Sequence, residues 1–199
     1  MIWREHRLFL RRWLRAPMHV GAVAPSSRQL GDAMARLVPK EGNGTVVELG
    51  GGTGVITASL LRSGIDADRL VVVERDAELH RHLQERFPGL KILLGDAGEL
   101  GEALKPLGIH KADAVISGLP LLSMPRAVQD RILEQVLALL APGAPMIQYT
   151  YGPMSPVDRR RFKLKGTVAK RVAANLPPAS VWVYRRESDL AHAVASHAT

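Results

Sequence analysis

The chain contains no cysteine, which removes disulfides, thiolate metal sites and a cysteine nucleophile together and fits a reducing compartment. It has no long apolar run. The stretch 132–141, around Leu137-Ala138-Leu139-Leu140, falls well short of the about 18 residues that span a bilayer, so no integral membrane segment is expected. No His, Asp or Glu cluster has metal-ligand spacing, so no metal site is expected, and no nucleophile elbow supports Ser-His-Asp hydrolysis. Internal repeats and low-complexity segments are also missing. What is present is 199 residues with 46% hydrophobic and 23% charged side chains, enough for one domain with a sizeable core.

Acidic side chains are scarce at both ends. Residues 1–28 carry six Arg against Glu5 alone, and residues 153–186 carry nine basic side chains against Asp158 alone. The middle of the chain is slightly acidic, so the net charge of +8 resides in the two ends, which implies a polyanionic partner contacted there.

Five short apolar runs recur between helical patterns: Val46–Leu49, Leu70–Val73, Ile92–Leu94, Ala114–Ile116 and Pro145–Tyr149. Near-continuous hydrophobicity marks strands of a parallel sheet covered on both faces. Helices are expected over Thr53–Arg62, Asp76–Phe87 and Pro125–Leu140, the last stopped by Ala141-Pro142-Gly143. Two later runs, Val168–Ala173 and Val181–Tyr184, lack a long helix between them and are expected to form an antiparallel edge pair. The alternation predicts a doubly wound, Rossmann-like α/β sheet.

The first strand runs into Glu48-Leu49-Gly50-Gly51-Gly52-Thr53-Gly54, and a helix opens behind it. Val55 stands where a dinucleotide fingerprint needs glycine, which counts against NAD. Glu74 closes the second strand, where a carboxylate can accept both ribose hydroxyls, and Gly95-Asp96-Ala97 follows the third, where one can accept from an adenine amino group. The series Glu48 to Gly54, Glu74 and Asp96 resembles the S-adenosylmethionine site of the class I methyltransferases. That resemblance implies a seven-stranded, mostly parallel sheet with an antiparallel last strand. It also implies cofactor contacts from Ser26, Glu48, Gly50, Gly52, Gly54, Glu74, Arg75, Asp96, Ala97 and Ser117, with S-adenosylhomocysteine as product.

Four further segments narrow the resemblance. They are Val20 to Ser27, where Ser26 is expected to cap the following helix, Ser117-Gly118-Leu119-Pro120-Leu121-Leu122, Gln148 to Pro153, and Asn175-Leu176-Pro177-Pro178. Together they resemble the bacterial phospholipid N-methyltransferases over nearly the whole chain. This implies stepwise methylation of phosphatidylethanolamine toward phosphatidylcholine. Those sequences are similar to the rRNA adenine dimethyltransferases, the competing expectation, which carry an Asn-x-Pro-aromatic pattern where this chain has Gly118 to Leu121. Without that Asn and that ring a flipped base loses its partner and its stacking platform. The chain also ends without the helical RNA-binding domain of those enzymes, so no specific nucleic acid is expected. A protein that binds the cofactor without activity is a third expectation.

Projected on a helix, Ile2, Trp3, His6, Phe9, Leu10, Trp13 and Leu14 fill an arc of roughly 140°, opposite Arg4, Arg7, Arg11, Arg12 and Arg15. A basic face opposite Trp, Phe and Leu is the pattern of a helix lying in a membrane interface. Residues 1–17 are accordingly expected to be a membrane-binding helix and 18–199 the methyltransferase domain. Trp3, Arg7, Phe9, Leu10, Arg11, Trp13 and Leu14 would meet anionic lipid, with Arg159, Arg160 and Arg161 over the mouth of the site. A core helix, a transit peptide and a solvated basic face are the plainer readings. The expected protein is a monomer, cytoplasmic and peripheral on the inner face of the cytoplasmic membrane. An ammonium has no lone pair, so His19, Tyr149 and Tyr151 are candidates to receive or relay its proton, and Ser117 with the Gly118 and Leu119 carbonyls to hold the head group.

Overall fold

A computed structural model describes residues 27–151, 153–175 and 177–189. The expected membrane residues Trp3, Arg7, Phe9, Leu10, Arg11, Trp13 and Leu14, together with His19 and Ser26, lie outside the described residues.

The elements follow in the order α1 (Arg28–Ala35), β1 (Val46–Leu49), α2 (Val55–Arg62), β2 (Leu70–Glu74), α3 (Ala77–Arg86), β3 (Lys91–Leu94), α4 (Leu100–Leu104), β4 (Ala114–Ser117), α5 (Arg126–Leu139), β5 (Met146–Tyr151), β6 (Leu164–Val172) and β7 (Ala179–Arg186). The seven strands form one sheet in the order β3-β2-β1-β4-β5-β7-β6. The first five run parallel, and β7 is inserted antiparallel between β5 and β6. This is the Rossmann-like methyltransferase sheet that the sequence predicts.

Every residue of β1, β2 and β4 is buried, because helices cover both faces and each successive side chain enters a different layer. Val46, Leu70, Val72, Ala114, Ile116 and Ile147 pack against Leu30 and Met34 of α1, Ile56 and Leu60 of α2 and Leu83 of α3. Val47, Leu49, Val71, Val73, Val115 and Met146 pack on the other side against Leu100 and Leu104 of α4 and Ile132, Leu133 and Val136 of α5. The element bounds differ from expectation for local reasons. Helix α2 starts at Val55 because Gly54 takes the left-handed conformation as its cap. Helix α3 starts after Asp76, whose carboxylate accepts from the Glu78 and Leu79 amides. The cap of α1 is Ser27, whose hydroxyl accepts from Leu30 N at 3.2 Å, and not the expected Ser26. Strand β6 begins four residues before the expected Val168, because Leu164 to Thr167 gain their backbone partners from β7. Its solvent-facing Lys165, Lys170 and Arg171 blunt the exposed sheet edge.

Gly166 is required by packing. A methyl group there would lie 2.5 Å from Cε1 of Tyr184. That ring is fully buried, stacked on Trp182 and tied by its hydroxyl to Ser155 at 2.8 Å, so it cannot yield. Gly166→Ala is therefore expected to lower the unfolding free energy by about 1–3 kcal/mol. In urea denaturation Lys165→Ala, at an exposed neighbouring position, should stay within about 0.5 kcal/mol of the parent.

Candidate functional site

The parallel strands β1 to β5 all end on one edge, and the strand order reverses between β1 and β4. A crevice opens there, at the topological switch point of the sheet. Gly50, Gly52 and Gly54 have φ of +75°, +55° and +80°. At Gly52 the surroundings are open, with no atom nearer than the Gly50 carbonyl at 4.0 Å from an added methyl. Its backbone can therefore be approached closely by a ligand. Behind it α2 begins without a side-chain cap, leaving its first amides as donors with a positive helix end.

Glu74, 5% exposed, anchors this loop. Its Oε2 accepts from Gly52 N at 2.9 Å, and Oε1 accepts from the Arg75 and Asp76 amides, each at 2.8 Å. A carboxylate offers about four lone-pair positions. Three are taken by backbone, which leaves one acceptor position open on Oε2. Asp96 has a similar double duty. Its Oδ1 caps the 3-10 turn Ala97–Glu99 through Gly98 N at 2.8 Å, and its Oδ2 lies 3.6 Å from the Arg75 guanidinium.

Glu48 is fully buried on β1 and accepts from Thr57 Oγ1 at 2.8 Å, fastening the first turn of α2 to the sheet. Its Oε1 has no partner among the described residues. Burial above all, with the negative charge of Glu74 adding, pushes its carboxyl up to about 8.

The loop after β4 packs directly on the glycine loop. A methyl on Gly118 would come within 2.8 Å of the Gly50 carbonyl oxygen and 3.4 Å of that of Leu49, while one on Gly50 would meet Leu119 Cδ2 at 2.8 Å. No side chain fits at position 118. Ser117 Oγ is buried and accepts from Leu119 N at 3.3 Å, so it shapes the loop. The Leu119 carbonyl accepts from Gln148 Nε2 at 3.0 Å and from Leu121 N at 2.9 Å. Both its lone pairs are used, which removes it as a head-group acceptor and leaves the Gly118 carbonyl. Leu121 is 1% exposed, in the core beside α5, so it lines no substrate surface.

Tyr149 is buried and meets Tyr151 edge to face, with centroids 5.4 Å apart. Burial, then the neighbouring Tyr149, pushes the Tyr151 phenol up. It stays protonated at neutral pH and cannot be the proton acceptor. Arg159 donates to the Gly166 carbonyl at 3.2 Å and its guanidinium lies 5.9 Å from the Trp182 ring centroid. Arg161 is 3.1 Å from Asp130 on α5, while Arg160 is exposed. Two of the three arginines are thus engaged within the domain.

Two positioning residues escaped expectation. Gln148 holds the β4 loop. Asn175, 2% exposed, accepts from Ser27 N at 2.9 Å and donates to the Pro177 carbonyl at 2.8 Å. It also hydrogen-bonds Tyr151, so the start of α1, the end of β5 and the β6–β7 turn meet at one amide. The available signal was a lone amide inside an apolar strand or before a proline pair.

No protein-family model matches the chain. Over 183 residues it is 36% identical to the ornithine lipid N-methyltransferase of Singulisphaera acidiphila, covering 89% of this chain and 94% of that one. It is 33% identical over 153 residues to ribosomal RNA small subunit methyltransferase A of Anaeromyxobacter dehalogenans, 75% of this chain but 47% of the relative. Among solved structures, the 1,6-didemethyltoxoflavin-N1-methyltransferase of Burkholderia thailandensis with bound S-adenosylhomocysteine superposes with a TM-score of 0.64 at 18% identity, covering 92% of this chain and 90% of that one.

The Glu48 geometry generates a pH prediction. An unfolded chain loses this proton near the ordinary 4.5, whereas the folded protein holds it to about 8. Its contribution to stability is thus full below about pH 4.5 and is lost as pH rises through about 8. Urea unfolding between about pH 5 and pH 9 should show this decline in the parent and its disappearance in Glu48→Gln, which stays neutral throughout. Parallel curves for the two proteins would refute it.

Proposed function

The chain belongs to the same family as the ornithine lipid N-methyltransferase, within the class I S-adenosylmethionine-dependent methyltransferases, and from that premise we propose that it methylates the amine head group of phosphatidylethanolamine and its partly methylated products, toward phosphatidylcholine. The observation that carries a lipid amine over a nucleobase is the contact of Gly118 with Gly50, which excludes a side-chain amide at the position where one would hold a base. A small aliphatic amine needs only a carbonyl acceptor there, and the Gly118 carbonyl offers one. The relative's own substrate favours a second reading, in which the acceptor amine is that of ornithine lipid.

S-adenosylmethionine is the cofactor, and bound in the crevice it supplies an electrophilic methyl group. The open Gly52, the uncapped start of α2, the last acceptor position of Glu74 and the Asp96-Ala97 turn fit its amino-acid, ribose and adenine parts. The chain's own residues then orient the amine and exclude water, which makes catalysis mostly placement. With Tyr151 held as a neutral phenol, His19 and Tyr149 are left among the three candidates to receive or relay the proton, and imidazole has the ordinary pKa near 6.5 for that task. The reaction takes place on the inner face of the cytoplasmic membrane, where the enzyme is peripheral and monomeric and its amphipathic first 17 residues meet anionic lipid. No helix among the described residues is long and apolar enough to cross a membrane.

Glu74→Gln places an amide NH2 against either the Gly52 amide or those of Arg75 and Asp76, so it cannot serve all three. Loss of one charge-assisted bond to the loop and one to the ribose, at roughly 1.5–3 kcal/mol each, should weaken S-adenosylmethionine binding at least about a hundredfold. Calorimetry returning the parent affinity would remove the site as assigned.

Substrate is tested by supplying labelled methyl donor with phosphatidylethanolamine vesicles, ornithine-lipid vesicles or unmethylated ribosomal particles. Label is expected in phosphatidylethanolamine. Label confined to ornithine lipid would establish the second reading, and label in adenine would overturn both. RNA binding alone decides nothing, because the basic ends attract any polyanion.

A further inference from the structure

Five large apolar side chains are exposed among the described residues, and three of them stand on the edge that carries the crevice. Leu94 ends β3 at 57% exposure, Leu122 lies just past β4 at 49%, and Met154 lies just past β5 at 70%. Leu107 and Val168 are elsewhere, before β4 and within the edge strand β6. The exposure of Leu122 is built in. Its 3-10 turn is closed by Ser123 N to the Pro120 carbonyl at 2.9 Å and Met124 N to that of Leu121 at 3.0 Å, and Leu121 fills the core beneath. Met154 is followed by Ser155, which is pinned to the Val157 carbonyl and to Tyr184, each at 2.8 Å. Neither side chain can fold inward without breaking these bonds.

We propose that the loops after β4 and β5 form a rigid lip whose Leu122 and Met154 enter the apolar boundary of a lipid bilayer, setting the crevice against the head groups. The inference rests on the lipid-amine reading and names the surface that such a substrate requires. A further observation selects a bilayer as the occupant. The exposed arginines Arg28 and Arg126 are the first residues of α1 and α5, which begin at this edge on opposite faces of the sheet. Their acid partners Asp32 and Asp130 sit one turn further in, and Asp158 also pairs with Arg126. Cations flanking apolar points suit a surface of anionic head groups over acyl chains. Single apolar residues on separate loops suit insertion between lipids better than they suit a continuous protein interface.

The test compares two forms of phosphatidylethanolamine, long-chain lipid in vesicles with phosphatidylglycerol and a short-chain form dissolved below its micellar concentration. Leu122→Glu with Met154→Glu, and Leu122→Ser as a milder change, should lower vesicle methylation at least about tenfold through lost interfacial insertion. Activity on the dissolved lipid and affinity for S-adenosylmethionine should be retained. Unchanged vesicle rates would overturn the lip alone, leaving the function intact. Equal loss on both forms would overturn it too, by making these residues part of the amine pocket. The same comparison is run with ornithine lipid, and failure of the parent to methylate either lipid in either form would remove the lipid reading and the lip with it.

Discussion

Three glycines carry the parallel hydrogen-bond ladder one step past the ends of the strands. Gly50 N donates to the Val73 carbonyl at 2.8 Å, Gly95 N to that of Glu74 at 2.9 Å, and Gly118 N to that of Leu49 at 2.8 Å. The loops around the crevice are therefore set by the same backbone register that sets the sheet. Loops usually gain freedom with distance from the last paired residue. Here each loop is still paired at its first residue, and Glu74 and Gln148 pin the next ones by side chain. The crevice inherits its geometry from the core, and its shape varies little unless the strands themselves move.

This arrangement explains the polar residues inside an otherwise apolar sheet. Glu48 and Ser117 are fully buried near the ends of β1 and β4, as is Gln148 of β5 opposite Ser117, and burying such groups is costly without partners. Each bonds to an element that must be fixed at the site: Glu48 to α2, Ser117 to its own loop, Gln148 to the neighbouring loop. Leucine at any of them would suit the core better and would leave a loop loose. Glu48 Oε1 and Gln148 Oε1 are left without partners among the described residues, and burial holds the Glu48 carboxyl neutral, which limits that cost at pH 7.

The fold was legible because a parallel sheet covered on both faces leaves strong marks: near-continuous apolar strands, helical periods between them and glycines at the turns. The Glu48–Gly54 loop, Glu74 and Asp96 were legible for a related reason, since their roles follow from position at consecutive strand ends. Residues whose role depends on partners distant in sequence were not. Asn175 reaches Ser27 across 148 positions, and nothing in Asn-Leu-Pro-Pro indicates that contact. Arg159 to Arg161 show the same limit. Their charge was visible, but not that Asp130, Gly166 and Trp182 engage two of the three.

The described arginines consequently serve different purposes. Arg159 and Arg161 help to pack the β6–β7 ribbon against α5, whereas Arg28 and Arg126 begin the helices that start at the crevice edge, the edge that also carries Leu122 and Met154. An enzyme that draws its substrate from a surface needs orientation as much as attraction, because its crevice must meet the head groups rather than the solvent. Long-range attraction from a basic patch brings the molecule to an anionic surface without choosing which side lands. Short apolar projections around one opening make that choice, since only one orientation removes them from water. Rigid loops strengthen the selection, because no conformational freedom is lost when the projections insert.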